Sequence, residues 1–402
     1  MKASLRIDCC GNLYTGLLLC NAAIINFKMC VEKIEGIVKE KPMATKKKIL
    51  YIVEAMGGGV FTYIVDLANE LVDTYDMYIA YAVRKQTPSN YKDYFDKRIH
   101  LIEVKNFARA INATKDIAAF FEIRKIAKEI KPDIIHLHSS KAGALGRFAF
   151  SGKRVPLFYT PHGYSFLMQN SSEARRKIYK GIEFVCGKRN CTTISCSKGE
   201  HSESLKLNKQ AVYVNNGINM EQLQKLIDEL GDAKQHPFTV FTLGRICYQK
   251  NPALFNKIAL AMPDVRFLWI GDGELRSELT APNITITGWT ERKEALKYSA
   301  SGDVFVLTSL WEGLPISLLE AMYMKKVCVV SNVIGNRDVI KNGTNGFVCN
   351  SVDEYVRTIK CAKNNDMSRL VEVAYQEILE CYNTKTMAEQ YNKIYVAKLN
   401  NR

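Results

Sequence analysis

Two carboxylates with seven residues between them, Glu312 and Glu320, frame the stretch SLWEGLPISLLEAM (309–322). Gly313 and Leu314 form a turn there, and Pro315 suits the first position of a following helix. The free N–H groups at such a helix start, with the helix dipole behind them, form an anion site. A carboxylate just ahead of it can accept hydrogen bonds from sugar hydroxyls. The same residues also read as a capped helix carrying a solvated glutamate. A second group lies in LGRICYQKNP (243–252), where Gly244 ends a strand and Arg245 and Lys250 follow in the loop. Two cations at a strand's carboxyl end can neutralise a diphosphate, and arginine can bind two oxygens at once. In WIGDGELR (269–276), Gly271 and Gly273 allow a tight turn after a strand and can line a nucleoside pocket. Only G-D-G is present, short of a dinucleotide fingerprint. Gly288 and Trp289 can lie close by, with Trp289 either covering a base or packed in the core.

The first half supplies Gly58 and Gly59 after an apolar run, His136 and His138 in DIIHLH, and His162 in YTPHGYSF. His136 and His138 share one face of a strand, where a packed or hydrogen-bonded pair is favoured over a metal site for want of a third ligand. No D-x-D occurs, so a carboxylate-held metal for a nucleotide diphosphate has no evident ligands. Cations and a helix end are expected to do that work, with no cofactor.

These residues need a scaffold that brings strand ends together. ILYIV (49–53) is a buried-strand run, and the glycines lead into VFTYIVDLANELV, apolar at helical spacing. Strands are also expected at 77–83, 133–138, 157–160, 192–197 and 212–216, with a helix over 115–131. After a polar stretch at 218–237 the alternation restarts, with strands at 238–244, 266–271, 303–309 and 327–331. Helices are predicted at 252–262, 291–300, 315–324, 352–363, 367–382 and 386–400. Alternating β and α units imply α/β architecture: two Rossmann-like, doubly wound parallel sheets facing an interdomain cleft. The divisions are 43–217 with a returning helix at 384–400, and 218–383, preceded by a poorly ordered extension over 1–42.

At 402 residues the chain exceeds one ordinary core. Its 47% hydrophobic and 24% charged composition excludes bulk disorder. The formal net charge of +15 suits a polyanionic partner, or solubility alone. Twelve cysteines include no C-x-x-C pair, and buried reduced thiols explain them. LYTGLLLCNAAIINF (13–27) is interrupted by Asn21 and Asn26, which makes it a poor signal peptide and a poor membrane span. The segments IRKIAKEIK (123–131) and ARRKIYK (174–180), the latter after SFLM (165–168), can place a basic surface on anionic lipid. Solvated helix faces explain them too.

Taken together, the motifs resemble the GT-B-fold retaining glycosyltransferases of family 4, the "glycosyl transferases group 1", from about Lys47 to about Leu399. Glu312 and Glu320 look like the family's E-x7-E, whose first glutamate contacts donor-sugar hydroxyls and whose second contacts the ribose. Arg245 and Lys250 match the G-R-x4-K pair on the donor diphosphate, His162 matches the histidine near the transferring sugar, and Asn216-Gly217-Ile218-Asn219 resembles the N-G-I-D junction. Phe61 stands where many relatives carry glutamate, and G-G-x-x-E appears as GNRDVI with Asn336 and Asp338. The resemblance implies a metal-independent, cytoplasmic transferase at the inner membrane face. It would take a nucleotide-sugar, UDP-linked by family frequency, and pass the sugar to a glycan or lipid-linked glycan of a surface polysaccharide. Its rivals are a nucleotide-sugar epimerase on the same fold and a non-catalytic basic module for membrane or nucleic acid. No nucleic-acid recognition signature favours the last.

Overall fold

The computed structural model describes residues 46–54, 56–84, 87–108, 112–169, 171–229 and 236–401. The extension expected over 1–42 lies outside them. Lys47–Arg402 forms one compact unit.

The strands in chain order are β1 (Lys48–Val53), β2 (Asp76–Tyr81), β3 (His100–Glu103), β4 (Ile134–His138), β5 (Leu157–Thr160), β6 (Thr192–Ser195), β7 (Val212–Tyr213), β8 (Thr239–Leu243), β9 (Arg266–Ile270), β10 (Ile284–Ile286), β11 (Val304–Leu307), β12 (Val327–Ser331) and β13 (Phe347–Cys349). The α-helices are α1 (Gly58–Leu71), α2 (Ala113–Ile130), α3 (Ser140–Ala149), α4 (Glu173–Gly187), α5 (Lys198–Leu205), α6 (Met220–Asp228), α7 (Pro252–Leu260), α8 (Arg292–Ala300), α9 (Ile316–Tyr323), α10 (Asn336–Val339), α11 (Val352–Asn364), α12 (Ser368–Cys381) and α13 (Thr384–Asn400).

Two sheets result. The first runs β3-β2-β1-β4-β5-β6-β7 and the second β10-β9-β8-β11-β12-β13. The pairings of β1 with β2 and β4, and of β8 with β9 and β11, are parallel. Strands of this kind are covered on both faces, which is why β1, β4, β5, β11 and β12 are buried along almost their whole length. The order reverses between β1 and β4, and again between β8 and β11. Open α/β sheets bind ligands at the carboxyl edge of such switch points.

Helix starts follow local chemistry. Asn112, Ser172, Ser197, Asn219, Asn251, Ser351 and Asn383 each accept a hydrogen bond from a first-turn amide. Asn251 sits in the left-handed region at φ 53° with Pro252 behind it, so the chain turns sharply between Lys250 and α7. α4 is tied to α3 by a buried ion pair, Arg147 to Glu183 at 2.7 Å. Tyr159 donates to the same carboxylate at 2.9 Å, and the guanidinium stacks 4.1 Å from its ring.

The last helix returns to the first sheet. Met387, Ala388, Tyr391 and Tyr395 of α13 share a core with Tyr51, Tyr63 and Ile64. The chain therefore passes between the lobes twice, and the two passages run side by side. Ile218 N donates to Tyr382 O at 2.9 Å and Thr384 N to Ile218 O at 3.2 Å. Gly217 is required there, because a Cβ on it would lie 2.4 Å from the Asn383 backbone.

Candidate active site

The carboxyl ends of β8 and β11 are neighbours, so the loops that follow them meet. Lys250 Nζ lies 2.7 Å from Glu312 Oε1, and both side chains are largely buried. Ser309 Oγ donates to the same oxygen at 2.7 Å. Gln249 Nε2 donates to Glu312 Oε2 at 3.3 Å and to Trp311 O at 2.9 Å. Backbone bonds lock the two loops together: Leu310 N to Gln249 O at 2.8 Å, and Thr308 Oγ1 to Lys250 O at 2.7 Å. Gly244, at φ 150°, leaves room for the Lys250 stem, 3.2 Å from where a Cβ would stand.

Arg245 leaves the same strand end but turns to Glu274, with Nε at 2.8 Å from its carboxylate. The intervening loop is packed against the backbone of 244–246. A Cβ on Gly271 would meet Gly244 O at 2.4 Å, and one on Gly273 would meet Ile246 O at 2.1 Å. These glycines therefore serve close backbone approach. Gly288 bridges to Gly271, and Trp289 is 62% exposed, which removes the core alternative for it.

Pro315 is the cap residue of α9 rather than its first helical residue. Gly313 meets the opposite lobe. A Cβ on it would lie 2.9 Å from Cys196 Sγ, 3.1 Å from Gly163 N and 3.3 Å from His162 C. Leu314 is buried, and its carbonyl accepts from Asn216 Nδ2 at 2.8 Å. Asp338 accepts from Gly199 N, also across the lobes, at 2.8 Å. The E-x7-E turn is thus seated directly on the His162–Gly163 loop.

His162 holds a left-handed backbone at φ 55°. Its Nε2 lies 3.1 Å from His138 Nδ1, and Tyr63 packs edge-on at 4.6 Å. Burial pushes its imidazole down to about 3, so the ring is neutral near pH 7. His136 and His138 are lowered by burial as well. His136 bonds Tyr395 Oη at 2.6 Å and Thr160 Oγ1 at 2.9 Å, so the pair on β4 is a packed hydrogen-bonded one. Among the described residues no group of three His, Cys, Asp or Glu side chains is placed to hold a metal ion. Gly58 and Gly59 stand at the start of α1 with open space where a Cβ would be. Glu320 lies on α9, 2% exposed, and its carboxylate is paired with Arg292 at 2.7 Å.

Sequence reasoning missed several residues that shape this site. Glu200 accepts from Gly163 N at 2.6 Å and Cys196 N at 2.8 Å, fixing the histidine loop. Its sequence signal, S-K-G-E, is that of a capping box, which hides this second task. Arg292 stands among other charges in TERKE and carries no spacing signal. Gln249 and Ser309 carry no spacing signal. The described cysteines are free, and Cys361 and Cys381 are exposed exceptions to the expectation of buried thiols.

The model of the Glycosyltransferase Family 4 matches residues 57–222, and that of the Glycosyl transferases group 1 matches residues 237–365. The chain belongs to the family 4, group 1 glycosyltransferases. Among its relatives is the Escherichia coli UDP-Gal:alpha-D-GlcNAc-diphosphoundecaprenol alpha-1,3-galactosyltransferase, 29% identical over 77% of this chain and 87% of that protein. Another is the Campylobacter jejuni N,N'-diacetylbacillosaminyl-diphospho-undecaprenol alpha-1,3-N-acetylgalactosaminyltransferase, 23% identical over 73% and 84%. Among solved structures, sucrose-phosphate synthase from Thermosynechococcus elongatus superposes with a TM-score of 0.76 at 15% identity, covering 89% of this chain and all of that one. Anabaena HepE in complex with UDP and glucose gives 0.68 at 17%, covering 87% and all of that chain. The fold is GT-B, and the protein is a glycosyltransferase of that class. No helix among the described residues is long and apolar enough to cross a membrane.

Proposed function

We propose that this glycosyltransferase moves a sugar from a UDP-sugar to a lipid-diphosphate-linked glycan in surface polysaccharide synthesis, with retention of configuration and without a metal. The observation that carries the reading is the Lys250–Glu312 pair at the β8/β11 switch point, facing the His162–Gly163 loop through Gly313. On donor entry Glu312 accepts hydrogen bonds from sugar hydroxyls, and Lys250 turns to the diphosphate. Arg245, released from Glu274, joins it, with the amides near Gly313 and Leu314. The bond from the anomeric carbon to the diphosphate oxygen breaks as the acceptor oxygen bonds that carbon from the same face. The acceptor proton passes to the departing diphosphate. His162, neutral, offers a hydrogen bond to the sugar rather than a charge.

The lipid part of the reading draws on the two relatives, whose names specify undecaprenol-diphosphate acceptors. It also draws on α4. Ile178, Ile182 and Val185, at i, i+4 and i+7, are all exposed. Arg175 and Lys177 flank them on the same helix and are exposed too, Lys177 being also paired with Glu173 at 2.8 Å. An apolar stripe flanked by cations suits an anionic bilayer, which supports a site of action at the cytoplasmic membrane face. The test is a thermal-shift screen of nucleotide sugars, followed by transfer to a synthetic polyprenyl-diphosphate sugar in EDTA. Stabilisation by a UDP-sugar and an EDTA-resistant, anomer-retaining product are expected. Transfer that EDTA abolishes, or an inverted product, defeats the mechanism.

A further inference from the structure

Three charged side chains meet where α1 of the first lobe faces α8 and α9 of the second. Glu320 on α9 is paired with Arg292, the first residue of α8, at 2.7 Å. Asp66 on α1 is 3% exposed, and its Oδ2 has no hydrogen-bond partner among the described residues. The charges acting on Asp66 are Arg292, Glu320 and, on its own helix, Glu70. Glu70 is engaged by Thr384 Oγ1 at 2.6 Å. Tyr94, from the turn Tyr91–Tyr94, also faces Arg292 from the first lobe, beside Glu291.

Two buried carboxylates therefore share one guanidinium: it lies in ion-pair range of Glu320 Oε1, at angles short of a hydrogen bond, and leaves Asp66 Oδ2 with no partner among the described residues. A buried acceptor without a partner is costly, so such an oxygen marks a place a donor can move to. Arg292 carries five N–H donors and can turn between the two acids without losing its charge.

We propose that Arg292 is a positioning residue shared across the cleft. It holds Glu320 while the donor site is empty, and passes to Asp66 on the facing lobe when Glu320 takes a donor hydroxyl. The proposal rests on the donor reading above and adds a link between donor occupancy and the opposite lobe. It also has a proton signature. Burial pushes the Asp66 carboxyl up to about 7, opposed by Arg292 and reinforced by Glu320 and Glu70. Near neutral pH the acid is partly protonated, and arrival of Arg292 expels that proton. The expected release is about half a proton at pH 7, growing toward one at pH 6 and vanishing by about pH 8.5.

The experiment is calorimetric titration of UDP into the full chain in two buffers of different ionisation enthalpy. The β-phosphate of UDP titrates near the same pH, so the readout is the difference between wild type and Asp66→Asn. Wild type is expected to release about half a proton more at pH 7. Glu320→Gln gives an independent arm: with no carboxylate on its own lobe, Arg292 already sits beside Asp66, and the excess release is lost. Equal proton counts in wild type and in whichever of these variants folds overturn the proposal, because a merely structural role changes affinity without changing protons. Failure of UDP to bind wild type removes the donor reading, and this proposal with it, a result distinct from binding without the proton difference.

Discussion

Lys250 Nζ and Glu312 Oε1 stand 2.7 Å apart, so the proposed donor site carries its own counter-charge before any substrate arrives. Arg245, from the same loop, spends its guanidinium on Glu274 instead. The two cations of one motif therefore differ in burial and in what their loss would leave behind.

Glu312→Ala strands Lys250 in a largely buried position, whereas Lys250→Ala leaves Glu312 with Ser309 and Gln249. Both variants should lose about 100-fold in kcat, by analogy with deletion of a preorganised charge-stabilising group. Glu312→Ala should also melt lower than Lys250→Ala. Arg245→Ala breaks a part-exposed pair worth about 0–1 kcal/mol, so its melting temperature should hold while transfer falls strongly. Steady-state kinetics and calorimetry on the three variants check this. Near-wild-type transfer by both Arg245→Ala and Glu312→Ala would defeat the site assignment.

Gly313 touches the opposite lobe with no room to spare. Gly313→Ala should cost about 1–3 kcal/mol through overpacking against Cys196 and Gly163, and should reduce kcat more than it raises KM. Removing the sulfur relieves one of these contacts, so Gly313→Ala with Cys196→Ala should recover part of the loss. If the pair is no better than the single variant, the Cys196 contact is not what limits it.

The histidines give stability a definite pH dependence. His162 is pushed down to about 3 in the folded chain, against about 6.5 unfolded. The unfolded state therefore binds more protons below pH 6.5, and stability falls as pH drops from there toward 3. His136 and His138 act in the same direction. Urea unfolding at pH 7.5 and pH 5 should show the decline, and His162→Asn should be less sensitive to acid. Between pH 5 and 8 the rate profile should contain no limb from His162.

The exposed face of α4 should matter only where lipid is present. Ile178→Glu with Val185→Glu should leave the melting temperature within about 1 kcal/mol of wild type in stability, since both side chains are exposed. Flotation with anionic vesicles should drop, and transfer to a soluble acceptor should persist. Equal flotation on neutral and anionic vesicles would remove the electrostatic share of binding.

How much of this was legible depends on burial. The central strands announced themselves because both faces are covered, giving unbroken apolar runs such as ILYIV and DVFVL. The three strands that went unread, His100–Glu103, Ile284–Ile286 and Phe347–Cys349, all lie at sheet edges and are only partly buried. A half-exposed run of three or four residues has too short a pattern to stand out. In the site, Lys250 and Glu312 were readable because each stands at a strand end in a glycine-marked loop. Arg292 and Asp66 were not, since their role exists only where two distant helices face each other. The glycines at 271 and 273 read as a tight turn after a strand, and the close approach of the 244–246 backbone is a further demand on them that no local sequence pattern shows.

The crossing of α13 has a consequence for the order in which the molecule can be assembled. Tyr391 and Tyr395 supply the hydroxyls that face Tyr63, His136 and Tyr51 in the first lobe. On the ribosome, the segment 48–213 emerges well before those tyrosines exist. The half synthesised first must wait with an unfinished interior while the half made second closes its own core, and vectorial folding is completed only when residue 395 comes out.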